Sequence, residues 1–404
     1  MKHSILPVTR GLKRTRTTFL WAALLCAALQ ASADTPTYYW DANGTDGGPG
    51  YQPDGVWAAD TSNWTSDFEG NSPTFAYPGR ADVVFAATGG VADGAYWSDT
   101  GDYTVTIEGV QEVSDIVIQD GNCTLTNDSG YLDKDTPYIS VLGYGQTATI
   151  YSVLSSALGT SNGITKFAWG DLVLGGTNTY QGPTTIEGGT LLLAAPQVLP
   201  SASMLVLAGG DTRPDSGYSS TPSTFAAGGY SQTLGPLLLT GPYTSLTHTI
   251  DFGHGASALA FADSHTQDWG GILLNLVNFK PGVDSLRFGT NSSGLTPTQL
   301  GLIRFYNFLD VPGAIDAHGF VTPQPVAPLS IVANGSSSVK LTWAALNGRN
   351  YNIQTKSSVT DAYWTTNSIQ DVTGANNTAS FTDTVGTNRH RIYRVRLQPL
   401  SVGN

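Results

Sequence analysis

Short runs of apolar and β-branched residues recur along most of this chain, and they limit its folds more than any other feature. Examples are YTVTIEG (103–109), SDIVIQD (114–120), YISVLG (138–143), TATIYSVL (147–154), DLVLGG (171–176), TLLLAA (190–195), MLVLAGG (204–210), HTIDFG (248–253) and SLRFG (285–289). Each alternates apolar with polar residues or is continuously apolar, and each is bounded by Gly, Asn, Asp, Ser or Pro, as strands are. No amphipathic stretch of 12 residues competes with them. Composition agrees: Gly is 47 of 404 residues and charged residues are 12%. That excludes a charge-rich disordered chain and a long coiled coil. The fold class is all-β. Evenly spaced strands permit a sandwich, a barrel or a solenoid. Three features favour a right-handed parallel β-solenoid. Gly pairs close the strands at 175–176, 188–189 and 209–210, where a coil turns tightly. Thr and Asn cluster at turns, where stacking can align them into ladders. Leu172/Leu174, Thr184/Ile186 and Leu191/Leu193 recur at period two, so one face points inward on every coil.

The first 33 residues read as an export signal. Lys2, Arg10, Lys13, Arg14 and Arg16 precede an apolar run from Phe19 to Leu29, and Ala31-Ser32-Ala33 is a small-x-small cleavage site. The run is too short to span a bilayer, which needs ~20 residues. The expected location is outside the cell or on its surface, with cleavage near Ala33-Asp34 and no membrane span afterwards. Cleavage leaves Cys123 as the single cysteine, expected to behave as a small buried hydrophobe.

Charge divides the remainder. Residues 34–325 hold 7 basic and 28 acidic residues, a net of −21; residues 326–404 hold 7 and 3, a net of +4. Between them lies VTPQPVAP, whose spaced prolines favour extended backbone. The expected organisation is a signal peptide (1–33), an acidic solenoid (34–322), a Pro-rich linker (323–328) and a small β-sandwich (329–404). An acidic surface of this size argues against nucleic acid, which requires a basic one. In the small unit, SVKLTW (338–343), YNIQTK (351–356), TASFTD (378–383) and RIYRVRL (391–397) alternate well, with Trp343 and Trp364 as core aromatics. The strand RHRIYRVR invites a glycan- or phosphate-binding reading, against which stands an arginine-protected strand face.

The segment GDLVLGGTNTYQGPTTIEGGTLLLA (170–194) resembles the autotransporter-associated β-strand repeat, through Gly170, Leu172, Leu174, Asn178, Thr179, Tyr180, Gly182, Thr184, Thr185, Gly189, Thr190 and Leu191. Pro183 replaces the usual second Gly after Tyr. The repeat occupies about 167–195, and YYWDANG…GVWAADTSNW (38–64) and SALAFADSHTQDWGGILLNLVNF (257–279) extend the resemblance more weakly. The small unit is similar to fibronectin type III modules through LTW, GRNYNIQ and YRVRL. The resemblance implies a secreted or surface-exposed β-solenoid without assigned catalytic residues. Autotransporters end in a membrane β-barrel. About 80 residues follow the linker, too few for one, so the expectation is a chain that does not transport itself.

Candidate chemistry is sparse. Asp41, Asn43 and Asp46 offer oxygen ligands around a Gly turn, as Ca²⁺ loops do, but Gln52 stands where an EF-hand has its bidentate Glu. The alternative is an Asn-Gly/Asp-Gly turn. His248, Asp251 and His254 share seven residues, but His248 and Asp251 differ by an odd number in a strand and should face opposite sides. GTSNG (159–163) matches G-x-S-x-G without the strand–turn–helix that makes it a nucleophile elbow. Tyr38, Tyr39, Trp40, Trp57 and Trp64 can stack on sugars or form a core cap. Thr296-Pro297-Thr298-Gln299 starts a short helix, roughly 297–303, able to cap the solenoid. No residue is assigned a catalytic role and no cofactor is expected beyond Ca²⁺. The expected function is a secreted, non-catalytic structural or adhesin-like protein whose partners are cell-envelope or matrix components, glycans among them. The alternatives are a carbohydrate-binding protein and a polysaccharide-cleaving β-helix enzyme.

Overall fold

A computed structural model of the chain describes residues 35–87, 101–156, 162–210, 222–243, 245–306, 311–324, 330–335, 337–345, 350–360, 363–366, 372–373, 378–384 and 391–397. The export signal, the middle of the proline-spaced stretch and most of GTSNG lie outside these residues.

The described chain is almost entirely β, and its long sheets are parallel, as a β-solenoid requires. Successive strands alternate between a ten-stranded and an eleven-stranded sheet, and a three-stranded sheet joins them at later coils. Each coil therefore lays one strand on the corresponding strand of the coil before. Registration follows the inward residues. On the ten-stranded sheet, Tyr103, Cys123, Ala148, Leu172, Leu191, Phe225, Ile250, Leu276 and Phe305 are paired rung to rung. All nine are buried in one core cluster. Slipping any strand by one residue would turn its apolar side chains to solvent, so the register is strongly specified. Burying one Leu or Ile in this way stabilises by about 1.5–3 kcal/mol.

The step between rungs is irregular: Leu172 to Leu191 is 19 residues, and Leu191 to Phe225 is 34. Insertions at the corners thus hide the repeat from sequence while strand stacking continues. Of the three Gly pairs, only Gly189 (φ +65°) and Gly209 (φ +51°) adopt the left-handed conformation expected of them. Gly176 is needed for a different reason. A Cβ there would sit 2.6 Å from the Ser152 carbonyl oxygen of the coil below.

Both ends of the stack are closed. At the first, Trp64–Thr65 pairs antiparallel with Thr37–Trp40, and Trp40, Trp57, Trp64, Tyr77 and Phe85 form an aromatic cluster. Trp57 and Trp64 lie 4.7 Å apart, centroid to centroid. The five aromatics raised as sugar platforms therefore serve the cap. Trp40, Trp57 and Trp64 are buried, Tyr38 packs on Phe75, and Tyr39 on Phe68. At the other end, the helix Pro297–Leu302 has the expected capping box, Thr296 with Gln299. Gln299 is buried and donates to the carbonyls of Ser264 (2.8 Å) and Gln267 (2.9 Å). A hairpin of Gly313–Ile315 and Val321–Pro323 follows, and Val321 joins the solenoid core.

The C-terminal residues form antiparallel sheets of three and four strands around their own core of Leu341, Trp343, Tyr351 and Ile353. Trp364 departs from its expected core position. It is half-buried, with Lys356 Nζ 4.9 Å and Arg394 Cζ 4.4 Å from its ring centroid. The strand that holds it is short and at the sheet margin, so the ring is covered by cationic stems instead of apolar neighbours.

Candidate functional site

Outward residues of the ten-stranded sheet line up as consistently as inward ones. Thr104, Thr124 and Thr149 are paired rung to rung, as are Asp171, Thr190, Thr224, Thr249 and Asn275. Stacked strands lie about 4.8 Å apart, so this face presents hydroxyl and carboxamide groups at a fixed repeat. Thr and Asn thus form their ladder on a strand face, not at the turns. Asn178 is the turn residue, and it is buried, bonding backbone instead: its Oδ1 accepts from the Leu154 amide (2.8 Å) and its Nδ2 donates to the Val198 carbonyl (3.0 Å).

At the early rungs the face dips into a groove of about 500 Å³ lined by Asp54, Asp102, Tyr103, Thr104, Asn122, Thr124, Thr147 and Thr149. Its polar groups are fixed by bonds between coils. Asp54 Oδ1 accepts from the Thr104 amide (2.6 Å), Asn122 Nδ2 donates to Asp102 Oδ1 (2.8 Å), and Asn122 Oδ1 accepts from the Thr147 amide (2.9 Å). The backbone of three coils is thereby tied to the groove floor, and the Thr hydroxyls face outward. Such a floor can hydrogen-bond a polyhydroxylated ligand without rearranging. Sequence reading missed Asp54, Asp102 and Asn122. The signal was present as the T-x-T alternation in YTVTI, CTLTN and TATI, whose outward threonines are as regular as the inward apolar residues.

Two buried lysines were also unforeseen. Lys166 occupies an inward position between Ile139 and Ile186 in the eleven-stranded sheet. Its Nζ donates to the carbonyls of Phe167 (3.0 Å), Ala168 (2.7 Å) and Gly188 (3.0 Å). Burial lowers its pKa to about 7, while the nearby Asp171 carboxylate acts in the opposite direction. Lys134 is likewise sealed, donating to the carbonyls of Ser114 and Tyr138. Burial brings its pKa down to about 8 against the pull of Asp115, Asp135 and Asp82. Burial also raises Asp82 to about 6 and shifts Asp115 upward. Carboxylates with a lysine are ingredients of sugar-cleaving sites. This ammonium, however, is committed to carbonyls and closed to solvent, so the cluster binds coil to coil.

The other sequence candidates resolve as follows. His248 is fully buried, with Nδ1 accepting from the Ser223 amide (3.2 Å) and Nε2 at 3.0 Å from the Thr240 carbonyl, and burial lowers its pKa. Asp251 points the other way and holds the Gly253 amide and Asn278 Nδ2. Arg391 pairs with Asp383, and Arg394 Nε donates to Gln354 Oε1 (2.6 Å), so the basic strand is engaged within its module. Cys123 is buried and its thiol is pushed up to about 12 by burial. Asp41 is buried; Asn43 and Asp46 are exposed, and Asn43 touches Asp41 through its amide (3.2 Å). Among the described residues no three His, Cys, Asp or Glu side chains are grouped to hold a metal.

Residues 165–193 match the family model of the passenger-associated-transport-repeat. They span the strands Ile164–Phe167 to Gly189–Leu193, the most compact coil of the stack. The chain is also 24% identical over 344 residues to a protein described as "Adhesin BmaC autotransporter" from Brucella suis biovar 1 (strain 1330). The chain is an autotransporter-passenger-like repeat protein. The similarity covers 83% of this chain but 9% of that relative, so this chain spans a small part of the relative's length. No solved structure matches it. The groove residues Asp54, Asp102 and Asn122 lie outside the repeat match, so the passenger-like coil is the scaffold and the groove is a feature of this chain's early rungs.

Proposed function

We propose that this chain is a non-catalytic, adhesin-like protein of the cell surface or the extracellular space, which presents the polar outer face of its ten-stranded sheet to cell-envelope or matrix components. The adhesin-named relative supports the class of function. The observation that carries the site is the groove whose floor is fixed by Asp54, Asn122 and Asp102 while the hydroxyls of Thr104, Thr124 and Thr149 face outward. Its groups suit the hydroxyls of a neutral glycan, and the stacked coils hold them in place before binding. The fibronectin-like C-terminal module acts as a spacer or second contact.

Two carboxylates in one groove are also what a polysaccharide-cleaving enzyme needs. The test therefore reads both binding and cleavage. Purified chain is incubated with a panel of soluble and insoluble polysaccharides, and retained protein and released sugar are measured. Retention that falls at least tenfold in a Thr104→Val/Thr124→Val/Thr149→Val variant supports the reading. Sugar release lost in Asp54→Asn or Asp102→Asn would replace it with the enzymatic one.

A further inference from the structure

The first coil contains a buried charge with nothing to neutralise it. Residues 34–79 hold seven acidic side chains and no Lys, Arg or His. Within that segment Asp41 is 1% exposed. Its Oδ1 accepts from the Asn43 amide, but its Oδ2 is buried and has no hydrogen-bond partner. A carboxylate in that position costs several kcal/mol unless it is paired, protonated or bound to a cation.

The surroundings narrow the choice. The 41–50 loop is clamped to the 67–72 loop by the Gly48 amide, which donates to the Glu69 carbonyl (2.8 Å). Gly70 (φ +66°) faces Gly48, and a Cβ on Gly70 would sit 3.2 Å from Asp41 Oδ2 and 2.8 Å from the Gly48 nitrogen. Asn71 Oδ1 flanks the same glycine turn, 3.1 Å from where a Cβ on Gly47 would stand. It accepts no bond among the described residues. Every charged group facing Asp41 is acidic: Asp46 on its own loop, and Asp67 and Glu69 on the facing one. Asp67 is already committed, accepting from the amides of Glu69 (3.0 Å) and Asn71 (3.1 Å) and from the Ser72 hydroxyl (3.0 Å).

We propose that Asp41 Oδ2 is the inner ligand of a Ca²⁺ site between these two loops, completed by Asn71 Oδ1, loop carbonyls and water. Ca²⁺ takes six to eight oxygens, of which carbonyls and amides supply many, so one buried carboxylate suffices as the anchor. The site ties the first loop to the aromatic cap through Trp40, the residue before Asp41. It goes beyond the adhesive reading and stands or falls separately from it.

Without the ion, burial places the Asp41 pKa at about 6, with Asp67 and Asp46 adding to the rise against the amides of Asn43 and Gly44. A folded-state pKa above the usual 3.8 means that the folded protein holds this proton more tightly than the unfolded chain. Ion-free stability therefore falls as pH rises from about 4 through 6, and Ca²⁺ restores it at pH 7.

The experiment titrates the full chain with Ca²⁺ by calorimetry, and with Tb³⁺ by emission sensitised through tryptophan, alongside melts in Ca²⁺ and in chelator. The expected result is saturable binding at pH 7 that raises the melting midpoint. Binding should weaken about tenfold at pH 5, from proton competition at a group titrating near 6. Asp41→Asn should abolish it, the exposed Asn71→Ala should weaken it several-fold, and Asp60→Asn should leave it unchanged. If Asp41→Asn does not fold, Asn71→Ala and the pH dependence still decide. Absence of binding in the unaltered chain at pH 7 would overturn the site, leaving the proton as the neutralising group. Binding that survives both the Asp41 and Asn71 substitutions would overturn it equally, since the ion would then sit elsewhere.

Discussion

Lys166 shows how far one interior residue can depart from its column. Its neighbours in register are aliphatic, yet its ammonium satisfies three carbonyls at the corner where Ala168 is left-handed (φ 66°). Lys166→Met keeps the volume and strands those acceptors, so a loss on the order of 3 kcal/mol is expected by denaturant titration. The pH dependence separates charge from packing. Burial lowers the folded pKa to about 7 from 10.5, so the unfolded chain holds the proton more tightly. Stability should rise as pH goes from about 7 to 10, and this slope should be smaller in Lys166→Met. Cys123 gives a simpler check at the same scale. Burial raises its thiol to about 12, so iodoacetamide should label it only in denaturant.

A strand here has two faces with separate duties, which lets stability and binding be separated by substitution. Leu172 is inward and fully buried, so Leu172→Ala should cost about 2–5 kcal/mol with little change in ligand retention. Thr124 lies on the outer face of the neighbouring coils, and Thr124→Val should change stability by less than about 0.5 kcal/mol while reducing retention. The short helix is set by its cap. Thr296 accepts from the Gln299 amide, and Thr296→Ala should cost about 1 kcal/mol, read as a lower melting midpoint. That helix was legible from Thr296, Pro297 and Gln299 alone because a capping box is a local interaction. The role of Gln299 was not, because its carbonyl partners at Ser264 and Gln267 are more than thirty residues away.

Across the whole stack, stability is a sum of coil–coil interfaces, and each coil depends on those beside it. Amide exchange should therefore be slowest in the central rungs, around 171–193, and faster toward both caps, as hydrogen-exchange mass spectrometry can map. The aromatic cap is the exception among end elements. Trp64 is fully buried beside Trp40, Trp57 and Tyr77, and Trp64→Ala should cost about 3–5 kcal/mol and speed exchange in the first coils. The closed ends also leave no bare terminal rung of the long parallel stack to pair with another molecule.

Strand identity and facing were decided by sequence alone, because period-two alternation and Gly-bounded runs act over a few residues. Leu172, Leu174, Leu191 and Leu193 all point where their alternation predicts. The passenger-like repeat was visible for the same reason, in the one coil too short to carry an insertion. Tertiary structure alone decided which strands stack, since steps of 19 to 34 residues have no fixed period. It also decided the groove, where Asp54, Asp102 and Asn122 come from three coils and meet only when those coils are in register. The same holds for buried charge. Nothing around Lys166 or Asp41 in the chain marks either as interior; both are buried because the coils above and below cover them.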